Sequence, residues 1–345
     1  MRILIDIKHP AHVHFFKNFI RIMEGKGHEI KVTAREKDIT TYLLDKYGIT
    51  YVKISSIGKT KLNLIKELII RNYRFSKIVR DFSPNLLMGI MGITEAPVGR
   101  FLGVPSLVFY DTECAKLTNF ISYLFCTKFI TPSCFREKLG KKNIRYDGYQ
   151  EMSYLHPRYF TPNVSVLKSL GLLQDEKFAI LRFVSYGASH DLGQESISYD
   201  AKVRAVREFS RFGRVFITSE RSLPQDLEQY RLDLPPEEIH SLIYYSTLLY
   251  GESATMASEA AVLGTNAIYL DDYGRGYTDE QERKYGLVFN YTKSENDQYL
   301  SIEKGIQLLK AADTKQKAQR KRVKLLSDTI DVTDFMIKQV SEFDS

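Results

Sequence analysis

Residues 248–272 read LLYGESATMASEAAVLGTNAIYLDD, and the fold is decided there. A short apolar run ending at Tyr250 meets Gly251. Small residues then open a helix-period segment, and Gly264 precedes a second apolar run closed by Asp271 and Asp272. Strand, tight turn, helix, glycine, strand is the grammar of a βαβ unit. Residues 95–111, EAPVGRFLGVPSLVFYD, repeat it loosely: Glu95-Ala96 leads through Leu102-Gly103 to a strand and Asp111, as Glu259-Ala260 leads through Leu263-Gly264 to Asp271. Two such halves predict an α/β protein with two Rossmann-like domains facing a cleft, ligands lying at the carboxyl ends of the strands.

Outward from this stretch, apolar runs at 2–7, 28–33, 50–54, 85–89, 106–110 and 128–131 alternate with helical segments near 13–25, 36–46, 61–81 and 94–102. The pattern breaks over 147–165, DGYQEMSYLHPRYFTPNVS, an aperiodic aromatic stretch with Gly148, Pro157 and Pro162. It restarts with runs at 178–183, 214–218, 247–250, 267–270 and 287–289 and helices near 198–211, 253–263 and 279–285. The expected division is a first domain 1–148, a linker 149–165, a second domain 166–330, and a terminal helix 331–345 packing back on the first domain.

The 345 residues suffice for two domains, and 43% hydrophobic with 26% charged residues is a globular composition. MRILIDI is too short and lacks the cleavage site of a secretory signal, and no apolar run is long enough to span a bilayer. Cys114, Cys126 and Cys134 are odd in number without metal-ligand spacing, so they are expected as reduced thiols in a cytoplasmic protein. The net charge of +7 suits an anionic membrane face or a diphosphate-bearing substrate; no nucleic-acid motif accompanies it.

Chemistry-bearing residues gather where strands end. The helix start at 251–264 offers unpaired N–H groups, the hydroxyls of Ser253 and Thr255, and little bulk at Ala254, which suits a phosphate or diphosphate. Glu259 carries a carboxylate able to accept bonds from a ribose diol; an N-capped helix packed through small residues is the plainer alternative. RFVSYGASHDLG brings Arg182, Ser185, Ser189, His190 and Asp191, and TSERSLP brings Ser219, Glu220 and Arg221, after neighbouring strands. An arginine there neutralises a diphosphate without metal.

In the first half, KHPAHVHFF offers His9, His12 and His14 as a general base or as holders of a hydroxyl, with capping and packing as the alternative, strongest for His14. Asp111, Thr112 and Glu113 follow the strand 106–110, where a carboxylate can deprotonate an attacking hydroxyl; Glu95 is a further candidate. His9 and His12 lack an adjacent acidic third ligand and Asp271-Asp272 is no D-x-D motif, so no metal is expected. The absence of GxGxxG argues against a dehydrogenase. Residues 59–80 form a basic amphipathic helix that suits either a peripheral membrane contact or a core-packed helix with a solvated face. The basic run 315–324 is expected as a solvated helix.

The segment 251–264 resembles the donor-site segment of GT-B glycosyltransferases and the related nucleotide-sugar 2-epimerases, in which a small-residue loop holds the diphosphate and the next helix supplies a ribose-binding glutamate. MRILIDIKHPAHVHFFKNFI, VFYDTECA and ITSERSLP are similar to an uncharacterised family of that superfamily, over nearly the whole chain. His9-Pro10-Ala11-His12 stands where many GT-B enzymes carry a glycine-rich loop. The resemblance implies a nucleotide-sugar domain holding its ligand through Ser253, Ala254, Thr255 and Glu259, to which the strand-end reading adds Arg182, Ser185, Ser219 and Arg221. By their places after the strands of the first half, His9, His14 and Glu95 are expected near the acceptor and Asp111, Glu113 or His12 as base. The implied activity is sugar transfer to a glycan or lipid-linked acceptor in surface polysaccharide biosynthesis, with no cofactor beyond the nucleotide-sugar. A nucleotide-sugar 2-epimerase or hydrolase shares the same donor site, and a non-catalytic binding protein is favoured by charge alone.

Overall fold

The computed structural model describes residues 1–56, 61–183, 196–219 and 222–344, and of 61–65 the backbone alone. The chain divides into two compact units, Met1–Tyr154 with Thr329–Ser345, and Leu155–Asp328.

The first unit is built on β1 (Arg2–Ile7), β2 (Glu29–Glu36), β3 (Tyr51–Ser56), β4 (Leu86–Ile90), β5 (Ser106–Phe109), β6 (Lys128–Pro132) and β7 (Asn143–Tyr146). All pair in parallel, in the order β3-β2-β1-β4-β5-β6-β7. A parallel sheet is covered on both faces, which is why β1 and β4 read as near-continuous apolar runs and are buried. The covering helices are α1 (Pro10–Gly25), α2 (Thr40–Lys46), α3 (Lys61–Phe82), α4 (Glu95–Leu102) and α5 (Lys116–Phe125). Proline at the first position of α1 costs no hydrogen bond, and the His9 imidazole caps the helix by accepting from the Ala11 N–H.

The amphipathic helix read at 59–80 is α3, and its Phe75, Val79 and Phe82 pack in a core with Leu4, Ile54 and Leu87. Arg71 is buried as well, so the basic stripe is not all solvated; Ile69 and Tyr73 face solvent. Two of the elements above had no counterpart in the sequence reading. β7 is a short edge strand with alternating polar residues, and α5 carries a clear helical period whose apolar side faces outward.

After β7 the chain reaches a short helix, α6 (Met152–Leu155), inside the stretch expected as linker, where Tyr149, Met152 and Leu155 are buried. The terminal helix α14 (Val332–Ser341) belongs to the first unit. Thr333 donates to the Ser153 carbonyl at 2.8 Å, Phe335 packs on Tyr146, and Lys128 pairs with Glu342.

The second unit holds five parallel strands, β8 (Phe178–Phe183), β9 (Arg214–Ser219), β10 (Leu248–Gly251), β11 (Asn266–Leu270) and β12 (Val288–Tyr291), in the order β12-β11-β10-β8-β9. Its helices are α7 (Ser165–Ser169), α8 (Tyr199–Phe209), α9 (Ile239–Tyr245), α10 (Ala254–Leu263), α11 (Gly276–Glu280), α12 (Glu295–Lys310) and α13 (Thr314–Asp328). The helix expected near 279–285 is α11 continued by a π-helical turn over 281–285.

The sequence echo is real in the backbone: α4 ends on Gly103 and α10 on Gly264, both left-handed at φ 72° and 73°, and each leads into a parallel strand. The glutamates of the echo differ, because Glu95 opens its helix and Glu259 lies midway along its own. The run 315–324 is only half solvated. Lys315, Gln319 and Arg322 form one face of α13 and bond the carbonyls of Gly264, Leu263 and Val262 at the carboxyl end of α10. Cationic side chains there complement the negative helix end. Burial and neighbouring Arg322 push the Lys315 ammonium down to about 7.

No helix among the described residues is long and apolar enough to cross a membrane.

Candidate functional site

In an open α/β sheet the ligand crevice lies at the carboxyl ends of strands, where the strand order reverses. In the first unit that point falls between β1 and β4, and in the second between β8 and β10.

At the first switch point the structure gathers a buried ionic cluster that sequence reading resolved only in part. Lys8, just past β1, sends its ammonium to both Glu95 oxygens at 2.8 and 2.6 Å and to the Ile90 carbonyl at 3.1 Å. Asp6, within β1, lies 3.6 Å from the same ammonium, accepts from the Thr33 hydroxyl at 2.8 Å, and pairs with Arg71 from α3. Lys8, Glu95, Asp6 and Arg71 are all buried, and two cations balance two carboxylates. Burial raises the Glu95 pKa, and the Lys8 ammonium opposes that rise. Gly89 makes the room: a β-carbon on it would overlap the Glu95 carboxylate. Glu95, expected near the acceptor, is therefore held inside the first unit by Lys8.

His12 stands at the edge of this cluster, buried, its Nδ1 accepting from the Lys8 N–H at 3.4 Å. Burial first, then His9, Lys8 and Arg71, hold its pKa well below the ordinary histidine range, so it is neutral at neutral pH. An unfolded histidine takes up its proton near about pH 6.5 and the folded one only well below that. The chain therefore loses stability as pH falls from about 6.5 toward the folded value. Measured by urea unfolding, the stability difference between the native chain and His12→Gln is expected to be flat above about pH 7 and to move in favour of the variant below about pH 6. A difference that stays constant down to about pH 5 would mean that His12 protonates without penalty.

The other expected residues of this unit are spread around it. His9 is the α1 cap, its ring centroid 6.0 Å from that of His12. His14 is packed between Tyr47 and Tyr154, at centroid distances of 5.7 and 5.4 Å, a core role. Asp111 is half-buried past β5 and accepts from the Thr112 hydroxyl at 3.0 Å. Glu113 is buried, and its Oε1 accepts from the Arg136 N–H at 3.2 Å.

In the second unit α10 starts at the carboxyl end of β10. Ser253 caps it, accepting from the Met256 N–H at 3.3 Å, and Ala254 and Thr255 sit half-buried in the first turn. Gly251 is in register with Arg182 on β8, and Phe183 with Ser219 on β9, so Arg182 lies at the end of the strand beside β10 and Ser219 one strand further away. Arg182 reaches the Thr218 hydroxyl at 3.5 Å. Glu259 is buried and bonds Nε2 of His240, on α9, at 2.9 Å. Ser185, Ser189, His190, Asp191, Glu220 and Arg221 lie outside the described residues.

Sequence reading missed His240, and also Glu252, which accepts from the Ser196 hydroxyl and the Ile197 N–H and lies 3.9 Å from buried Lys202. Asp271 and Asp272 are loop acids: Asp271 bonds the Gly274 N–H and Arg275, Asp272 the Lys293 N–H. Among the described residues no three His, Cys, Asp or Glu side chains stand together as a metal site.

Two parallel-sheet Rossmann-like domains with these strand orders define a two-domain fold of the GT-B class. The UDP-GlcNAc 2-epimerase of Neisseria meningitidis, solved bound to UDP-GlcNAc, superposes with a TM-score of 0.73 at 10% identity over 99% of this chain and 100% of that one. The spinosyn rhamnosyltransferase superposes at 0.64 with 12% identity over 99% and 100%. The chain belongs to the DUF354 family, described as a protein of unknown function, whose profile matches residues 1–343. An uncharacterized protein of Methanocaldococcus jannaschii is 23% identical over 270 residues, 75% of this chain and 79% of that protein. A UDP-N-acetylglucosamine–N-acetylmuramyl-(pentapeptide) pyrophosphoryl-undecaprenol N-acetylglucosamine transferase of Buchnera aphidicola is 29% identical over 112 residues, 30% of this chain and 32% of that enzyme.

Proposed function

We propose that the protein transfers a sugar from a nucleotide-sugar to a glycan or lipid-linked acceptor in surface polysaccharide biosynthesis, without a metal. The observation that carries this reading is the start of α10 at the second switch point. There Ser253, Ala254 and Thr255 follow β10, Arg182 lies on the neighbouring strand β8, and Ser219 ends β9 one strand further on. Helix N–H groups and a guanidinium neutralise a leaving diphosphate. The partial sequence match to an N-acetylglucosamine transferase favours transfer as the reaction. The first unit supplies the proton acceptor, Asp111 or Glu113 ahead of His12, whose Nδ1 already accepts a bond.

The test is a thermal-shift panel of UDP-, GDP-, CMP- and dTDP-sugars, followed by product analysis in EDTA with and without acceptors. Nucleotide released only when acceptor is present supports transfer. Release without acceptor makes the protein a hydrolase, and a new nucleotide-sugar makes it an epimerase.

Glu259→Ala is expected to weaken nucleotide binding about ten- to a hundredfold, the loss of one charge-assisted hydrogen bond. Because Glu259 also bonds His240, Glu259→Gln serves as the companion variant that keeps an oxygen for that contact. Calorimetry that finds the affinity of both unchanged removes Glu259 from the site and leaves it a purely internal partner of His240.

A further inference from the structure

We propose that the α4–α5 face of the first unit docks on an anionic lipid bilayer. The helix α5 is inside out. Its buried residues are Asn119 and Ser122, which bond the Thr112 and Glu113 carbonyls and the Met91 carbonyl. Its outward stripe is Leu117, Phe120 and Leu124, exposed to 72%, 66% and 51%. These lie three and four residues apart and so share one face. Phe101, at the end of α4, is 78% exposed and its ring lies 5.9 Å from that of Phe125, which joins the two helices into one apolar surface. An ordinary surface helix buries its apolar stripe, and so large a contiguous exposed one marks an interaction site.

The charge around the patch selects the occupant. Arg100 and Lys116 flank it, and exposed Lys138, Lys141 and Lys142 lie, with half-buried Glu137, on the loop that joins β6 to β7. Lys142 is bonded to the Tyr123 and Leu124 carbonyls at the end of α5. No acidic residue occurs between Glu113 and Glu137. Aromatic and leucine side chains with a cationic rim are what an interfacial helix presents to anionic headgroups. A second copy docked through the same face would set the two cationic rims against each other.

This assignment is independent of the donor-site reading, because its readout is partition and not turnover. The experiment is cosedimentation with vesicles of pure phosphatidylcholine and of phosphatidylcholine with about one-third phosphatidylglycerol, at low and high salt. The native chain is expected on the anionic vesicles alone, and less of it at high salt. The exposed triple variant Leu117→Ser, Phe120→Ser, Leu124→Ser keeps every charge and is expected to lose at least about tenfold in partition. Its melting temperature controls for folding. Absence of the native chain from anionic vesicles, or equal binding by the triple variant, overturns the proposal. A dimer in sedimentation that the triple variant dissolves, with vesicles ignored, gives the face to a second copy instead.

Discussion

Conversion of the base to its amide is expected to lower turnover by about 10²–10⁴-fold with donor affinity nearly unchanged. A sugar hydroxyl is a poor nucleophile at neutral pH, so transfer needs a proton acceptor within hydrogen-bond reach. Asp111 is the more open of the two carboxylates past β5, and Glu113 is buried against the Arg136 N–H. Asp111→Asn and Glu113→Gln are close in size to the native side chains, so a fall in turnover at an unchanged melting temperature reads the proton and not the fold. His12→Ala completes the set. Near-normal turnover in all three, with a confirmed acceptor, would sink the assigned mechanism.

The second large effect is on stability. Lys8→Met is expected to destabilise the first unit by about 3–5 kcal/mol, because it leaves the Glu95 carboxylate buried without its cation. Asp6 keeps Arg71 and Thr33, so the damage centres on Glu95. Adding Glu95→Leu to Lys8→Met is expected to restore part of the loss, since a buried pair exchanged for apolar side chains is often neutral. Hydrogen exchange of the β1 and β4 amides reads this unit separately from the other, which a single melting curve of a two-unit chain does not. A loss below about 1 kcal/mol in Lys8→Met would show that water or a rearranged neighbour already serves Glu95.

The parallel strands were legible because burial on both faces removes alternation: RILIDI and LLMGI are apolar almost throughout. The helix ends at Gly103 and Gly264 were legible because their backbone demands are local, whereas α1 starts at Pro10 and not near residue 13. What escaped was whatever depends on a distant partner. Lys8 and Glu95 meet across 87 residues, and nothing in KHPAH names that partner. Asp6 inside an apolar strand was the one visible sign that a buried charge needed company. Glu259 was legible as a helix carboxylate, but its bond to His240 joins two helices. The period of α5 stands in Leu117, Phe120, Ile121 and Leu124, but that this stripe faces outward depends on distant partners and not on its own residues.

The first unit is made of two stretches of chain that bracket the second. Residues 1–154 leave the ribosome early, while Thr333, which bonds Ser153, and Glu342, which pairs with Lys128, are translated only after the whole second unit. At a rate of about 5–20 residues per second the nascent first sheet waits on the order of ten seconds or more for its closing helix. During that interval the α14 side of β7 is uncovered. The second unit, continuous in sequence, is free of this delay and can complete itself while the first is still open.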